Sequence, residues 1–60
     1  MFSKGQRMTV NFRHGAEECE ITRVAVGYCL CEFYAYHLFM LHSRRTEIFP
    51  EDMLIRNIVK

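Results

Sequence analysis

The chain has no tryptophan, one proline, three glycines and three cysteines among its 60 residues, and each scarcity excludes something. With so little proline and glycine there is no linker or low-complexity stretch. An odd cysteine count, with Cys29 and Cys31 only two residues apart on an extended stretch, does not make a disulfide framework. A reducing, cytoplasmic setting is therefore expected. Charge of one sign is also missing: eight Lys+Arg against seven Asp+Glu give +1, so no strong field points to nucleic acid or to a membrane. No long apolar run exists either. The most apolar segment, Tyr28 to Leu41, is interrupted by Glu32 and His37 and falls short of the ~20 residues of a membrane helix. Met1-Phe2-Ser3-Lys4-Gly5 lacks the apolar core of a signal peptide. What is present is a half-hydrophobic chain with 13% aromatic and 25% charged residues, a composition that folds rather than stays disordered. One domain spanning residues 1–60 is expected. It is too short to enclose a substrate as an ordinary enzyme does, and small enough to bury only ~60% of its unfolded surface. Self-association is the remaining route to extra stability.

Alternation dominates the chain. Met8, Val10 and Phe12 lie on one face of a strand from Arg7 to Arg13, with Thr9, Asn11 and Arg13 on the other. His14-Gly15-Ala16 reads as a turn in which Gly15 takes a positive φ. Beyond it Cys19 and Ile21 oppose Glu18, Glu20 and Thr22. At Thr22-Arg23 the phase slips by one residue, after which Val24 and Val26 continue the apolar row. A β-bulge produces such a slip. After Gly27 a third strand places Cys29, Cys31, Phe33 and Ala35 on one face and Tyr28, Leu30, Glu32, Tyr34 and Tyr36 on the other. Tyr34 to Leu41 also contains helix formers, but its aromatic content predicts strand. Ser43-Arg44-Arg45 is a polar turn and Thr46 to Phe49 a short strand. Pro50-Glu51-Asp52 opens a helical turn with acids at its N-terminus, and Leu54 to Val59 is read as the last strand. Five short strands with one helical turn before the fifth predict an all-β small barrel.

The segment Glu47-Ile48-Phe49-Pro50-Glu51-Asp52-Met53-Leu54 resembles the closing signature of Src-homology-3 (SH3) domains. That signature is an aliphatic or aromatic residue, Phe-Pro, a polar pair, then Tyr-Val; Met53 and Leu54 stand at the last two positions. Thr46-Glu47-Ile48-Phe49 is similar to the Val-Gln-Ile-Tyr segment of plasmid-type, trimethoprim-resistant dihydrofolate reductases, which share the barrel. Glu47 and Phe49 replace the glutamine and tyrosine of that family, so its activity is not carried over. The stretch from Met8 to Phe33, a strand, the Gly15 turn and a bent second strand, resembles Sm-like RNA-binding barrels. All three resemblances imply a five-stranded SH3-like barrel and leave the function open, because fold does not decide chemistry.

No catalytic constellation is evident: Ser3, Ser43 and the cysteines sit in no nucleophile elbow. Glu17, Glu18 and Glu20 cluster, a pattern that on a strand edge serves to solvate that edge. Cys29, Cys31, His37 and His42 hold enough soft ligands for zinc, yet two cysteines inside an apolar strand read first as core residues, so no metal and no other cofactor is expected. For RNA or DNA, Arg13 and Arg23 are placed side by side across the first two strands, Arg44 and Arg45 form a basic loop, and Tyr28, Tyr34 and Tyr36 offer stacking surfaces. For a protein partner, the third strand is apolar on both faces, and the face with Tyr28, Leu30, Tyr34 and Tyr36 is read as needing cover, with Arg44 and Arg45 at its rim. The leading expectation is thus a non-enzymatic cytoplasmic module that docks on a larger protein as inhibitor or adaptor, of a size that suits a phage- or bacterium-encoded regulator. A nucleic-acid-binding regulator is the alternative, and a homo-oligomer is compatible with both.

Overall fold

A computed structural model describes residues 2–28 and 32–59. Its elements are β1 (Arg7–Phe12), β2 (Gly15–Tyr28), β3 (Glu32–Met40), β4 (Arg45–Pro50) and α1 (Glu51–Asn57). The strands form one antiparallel sheet in the order β1-β2-β3-β4, and β1 does not pair with β4, so the sheet is not closed. This bears out a mostly β fold with a short helix; a five-stranded closed barrel is not what forms.

Alternation in β1 buries Val10 and Phe12 and half-buries Met8, as the pattern predicts. Arg13 and His14 make the tight turn to β2, and Gly15 enters that strand at φ 130, where a side chain would be strained. The phase slip appears as a register shift between Ile21 and Arg23. Thr22, the extra residue, donates its hydroxyl to the His37 carbonyl at 3.3 Å. At the same point the Ile21 N–H donates to the Gln6 carbonyl (3.0 Å) and the Gly5 N–H to the Ile21 carbonyl (2.7 Å), which ties the N-terminal lead-in to the bend. The segment from Tyr34 onward is strand, β3, followed by a turn over residues 41–44 in which Arg44 takes φ 59.

The largest departure from the sequence reading is at the C-terminal end. Leu54 to Val59 is not a strand: α1 runs to Asn57, and only a bridge between Val10 and Ile58 and a bond from the Val59 N–H to the Thr9 carbonyl (2.9 Å) remain of a fifth strand. Period-two pairing there would put Arg56 between Leu54 and Ile58, and Asn57 between Ile55 and Val59. Helical spacing instead brings Leu54 and Ile58 to one side. Glu, Met, Leu and Arg favour that choice, and Glu51 and Asp52 lie where the helix N-terminus is positive.

The core lies between one sheet face and α1. It holds Val10, Phe12, Cys19, Ile21, Tyr36, Leu38, Met40, Phe49 and Leu54, with Phe2, Met8, Tyr34 and Ile58 packed around it. Val24 and Val26 do continue the apolar row, opposite Tyr36 and Tyr34, but at 37% and 45% exposure they extend past the end of the core. Farther out, the Phe33 ring lies against Gly27, at the position that a Cβ would need. A Gly27→Ala substitution is therefore expected to push the flexible ring aside while leaving the fold intact. The check is the ring-current shift of the Gly27 Hα resonances, which Phe33→Leu should also abolish; unshifted resonances in the parent protein would contradict the stacked ring.

Candidate functional site

Strand pairing assigns each residue of β3 to a face. Tyr34, Tyr36, Leu38 and Met40 look inward, and Phe33, Ala35, His37 and Phe39 look outward. Tyr36 has no exposed surface: its ring meets Phe2 edge to face at 5.5 Å and its hydroxyl donates to Glu51 at 3.2 Å. Burial raises its ionisation above the ordinary tyrosine value; the Phe2 amide acts in the opposite direction and the Glu51 charge adds to the rise. The expectation that Tyr36 faces a partner is thus corrected: it is a core residue, and Tyr34 is half-buried against the core. Leu30 lies outside the described residues, and Tyr28 ends β2 opposite Glu32.

The uncovered side of the sheet is instead the one to which the odd-numbered β3 residues belong. Across it run Phe33 (40% exposed) against Gly27, the small row Ala25–Ala35–Pro50, the row Arg23–His37–Ile48 with Ile48 at 59%, and Glu20–Phe39–Thr46. No described element packs on this face, because α1 occupies the other one. Where β4 ends at Pro50, the edge of β3 is left open, and a cleft of about 530 Å³ lies there between Phe33, Tyr34, Glu51, Asp52 and Ile55. A second cleft of about 300 Å³ lies in the unclosed seam, lined by Asn11 and Phe12 of β1, Arg13 of the following turn, Glu47 and Phe49 of β4, and Met53 and Asn57 of α1.

The four arginines do not form one surface. Arg13 sits in the first turn, whereas Arg23 lies beyond the end of β1, whose last pair on that side is Arg7 with Glu20. The side-by-side placement of Arg13 and Arg23 is therefore corrected: long β2 separates them. Arg44 at the end of the 41–44 turn and Arg45 at the start of β4 lie exposed at the same end of the sheet as Arg13. That end is held by Glu17, which is 8% exposed rather than solvating an edge. Its carboxylate accepts the Ser43 N–H (2.5 Å), the Ser43 hydroxyl (2.7 Å) and His14 Nε2 (2.8 Å), while the His14 ring stacks on Phe12. The Ser43 amide, chiefly, with His14, the Ser43 hydroxyl and the His42 amide, lowers the Glu17 pKa to about 2 despite the opposing effect of burial. The serine and the histidine converge on one acceptor instead of on each other, so His14 is not placed to take the Ser43 proton; the group ties two turns together. The sequence signal for it was parity: Glu17 shares the face of Cys19 and Ile21.

Cys19 is fully buried, and burial together with the charges of Glu17 and Glu18 pushes its thiol up to about 11, which makes it a poor nucleophile. Cys29 and Cys31 lie outside the described residues; His37 is on the outer face and His42 in the turn, and among the described residues no three ligating side chains gather. No helix among them is long and apolar enough to cross a membrane. Compared with known families, curated proteins and solved structures, the chain matches none.

Proposed function

We propose that the chain is a non-enzymatic binding module that docks on a larger protein, as inhibitor or adaptor, through the outer face of its sheet. One observation carries the reading: the side of β3 and β4 turned away from α1 presents Phe33 and Ile48 exposed and Ala35 and Phe39 half-buried, with no described element packed on it. A wet sheet face normally carries polar residues, and on the β3 row of this one only His37 is polar among Phe33, Ala35, His37 and Phe39. Docking buries these side chains as the centre of the contact, while Arg23 and His37 lie within the face as polar anchors. The small four-stranded antiparallel sheet with its short helix is compatible with an SH3-like scaffold and supports the reading only as a scaffold.

A second reading, a nucleic-acid-binding regulator, rests on the basic end formed by Arg13, Arg44 and Arg45, with Arg23 apart from it. A pull-down from lysate, with and without nuclease, separates the two. A stoichiometric protein band that survives nuclease and is lost with Ile48→Asp supports docking through the outer face. Loss of signal with nuclease, and with Arg44→Ala combined with Arg45→Ala, supports the second reading instead. Retention of the protein band by Ile48→Asp and by Phe33→Asp would overturn the assignment of the face.

A further inference from the structure

The sheet has two terminal strands, and the chain treats them differently. Along β1 the tail provides the Val10–Ile58 bridge and the Val59 N–H bond to the Thr9 carbonyl. Along β4 no described strand or tail pairs on the outer edge. Arg45, Thr46, Glu47 and Ile48 are all exposed there. Natural edges of this length are guarded by charge, bulges or cover. The guard on β4 is a pair of opposite charges two residues apart, and neither Arg45 nor Glu47 belongs to an ion pair among the described residues.

That spacing is self-complementary. We propose that a second copy of this chain pairs antiparallel along the free edge of β4, about a twofold axis through Thr46. In this register Arg45 of each copy stands opposite Glu47 of the other, on the same sheet face, which makes two equivalent ion pairs. Ile48 then lies diagonal to Thr46 of the other copy, past the end of the paired strands, because Arg44 belongs to the preceding turn. Neighbouring face-preserving registers are worse. A twofold at Glu47 sets Glu47 on itself, one at Arg45 sets Arg45 on itself, and one at Ile48 puts Glu47 against Phe49 with no ion pair. A shift that reverses the faces would bring the inward row of one copy beside the outward row of the other. Two copies so joined form one continuous eight-stranded sheet and merge their outer faces into a single wider surface. The pairing stands whether or not that face docks on a partner. In this register residues 45–47 of each copy are the strand residues that pair, and so short an edge buries less than the ~1,000 Å² of a stable interface, so the association is weak and concentration-dependent.

The test is sedimentation equilibrium from about 10 µM to about 1 mM, with amide exchange of the β4 residues followed over the same series. The parent chain is expected to dimerise, and its β4 amides to gain protection as concentration rises. Glu47→Arg alone and Arg45→Glu alone each set like charges opposite one another and should weaken the dimer about tenfold or more. An equimolar mixture of the two variants restores both ion pairs and should form the heterodimer with the parent's affinity. Circular dichroism verifies that each variant is folded, and the amide-exchange series on the parent reads the pairing independently of any variant. A parent chain that stays monomeric at the top of the range, β4 protection that ignores concentration, or a mixture no tighter than either variant alone would each overturn the proposal. None of these readouts involves a lysate partner, so failure here and failure of the docking reading are separate results.

Discussion

Replacing Tyr36 by alanine is expected to leave the chain without a cooperative unfolding transition at 25 °C. Tyr36 is the largest side chain with no exposed surface, and it joins three parts of the molecule. Its ring packs on Phe2 of the lead-in, it lies in β3 next to Phe49 of β4, and its hydroxyl reaches Glu51 at the start of α1. Truncating a buried aromatic residue costs about 3–5 kcal/mol. A core of this size supplies no more than about 3–5 kcal/mol in total. The loss therefore equals the whole stability. Tyr36→Phe is the informative companion: it keeps the ring and gives up only the hydroxyl bond, a change of about 1 kcal/mol. Urea titration followed by circular dichroism distinguishes them. A Tyr36→Ala variant that unfolds cooperatively near the parent midpoint would refute the core role, whereas a docking residue would leave the monomer's midpoint unchanged.

Glu17→Gln is expected to lower the thermal midpoint by about 10 °C at neutral pH, since three donors lose a charged acceptor in a part-buried site. Its effect on acid stability is more diagnostic. The carboxylate titrates near 4.5 when unfolded and near 2 when folded, so the folded state holds fewer protons in that window. The stabilisation from Glu17 is complete above about pH 4.5 and is lost as pH falls towards 2. The parent's midpoint should fall across that range, and the glutamine variant, already lacking the ionised acceptor, should show a much flatter acid limb. A variant with the parent's acid limb would mean that other carboxylates govern it. Ser43→Ala removes only the hydroxyl donor and keeps the amide that chiefly lowers the pKa, so it should change the limb less.

Several features were legible in the sequence for local reasons. Alternation located β1, the one-residue slip at Thr22-Arg23 located the bulge, the turn read at His14-Gly15-Ala16 lies beside the one that forms at Arg13-His14, with Gly15 and Ala16 already in β2, and the acids after Pro50 marked the helix start. Each depends on backbone geometry within a few residues. The docking surface was legible only by halves. Apolar residues on both sides of β3 say that one side needs cover beyond the core, but alternation labels two faces without saying which is inside.

Tertiary structure made that choice. Leu54 of α1, Phe2 of the lead-in and Phe49 of β4 all meet the even-numbered side of β3, which buries Tyr36 and turns Phe33, Ala35, His37 and Phe39 outward. The conversion of the fifth strand into helix and the recruitment of Glu17 by Ser43, 26 residues away, are decisions of the same kind. The sequence by itself determined where the chain extends, bends and turns, because those preferences belong to neighbouring residues. Only the packed molecule decided which face became core and which polar group became buried, because burial is a property of what arrives from elsewhere in the chain.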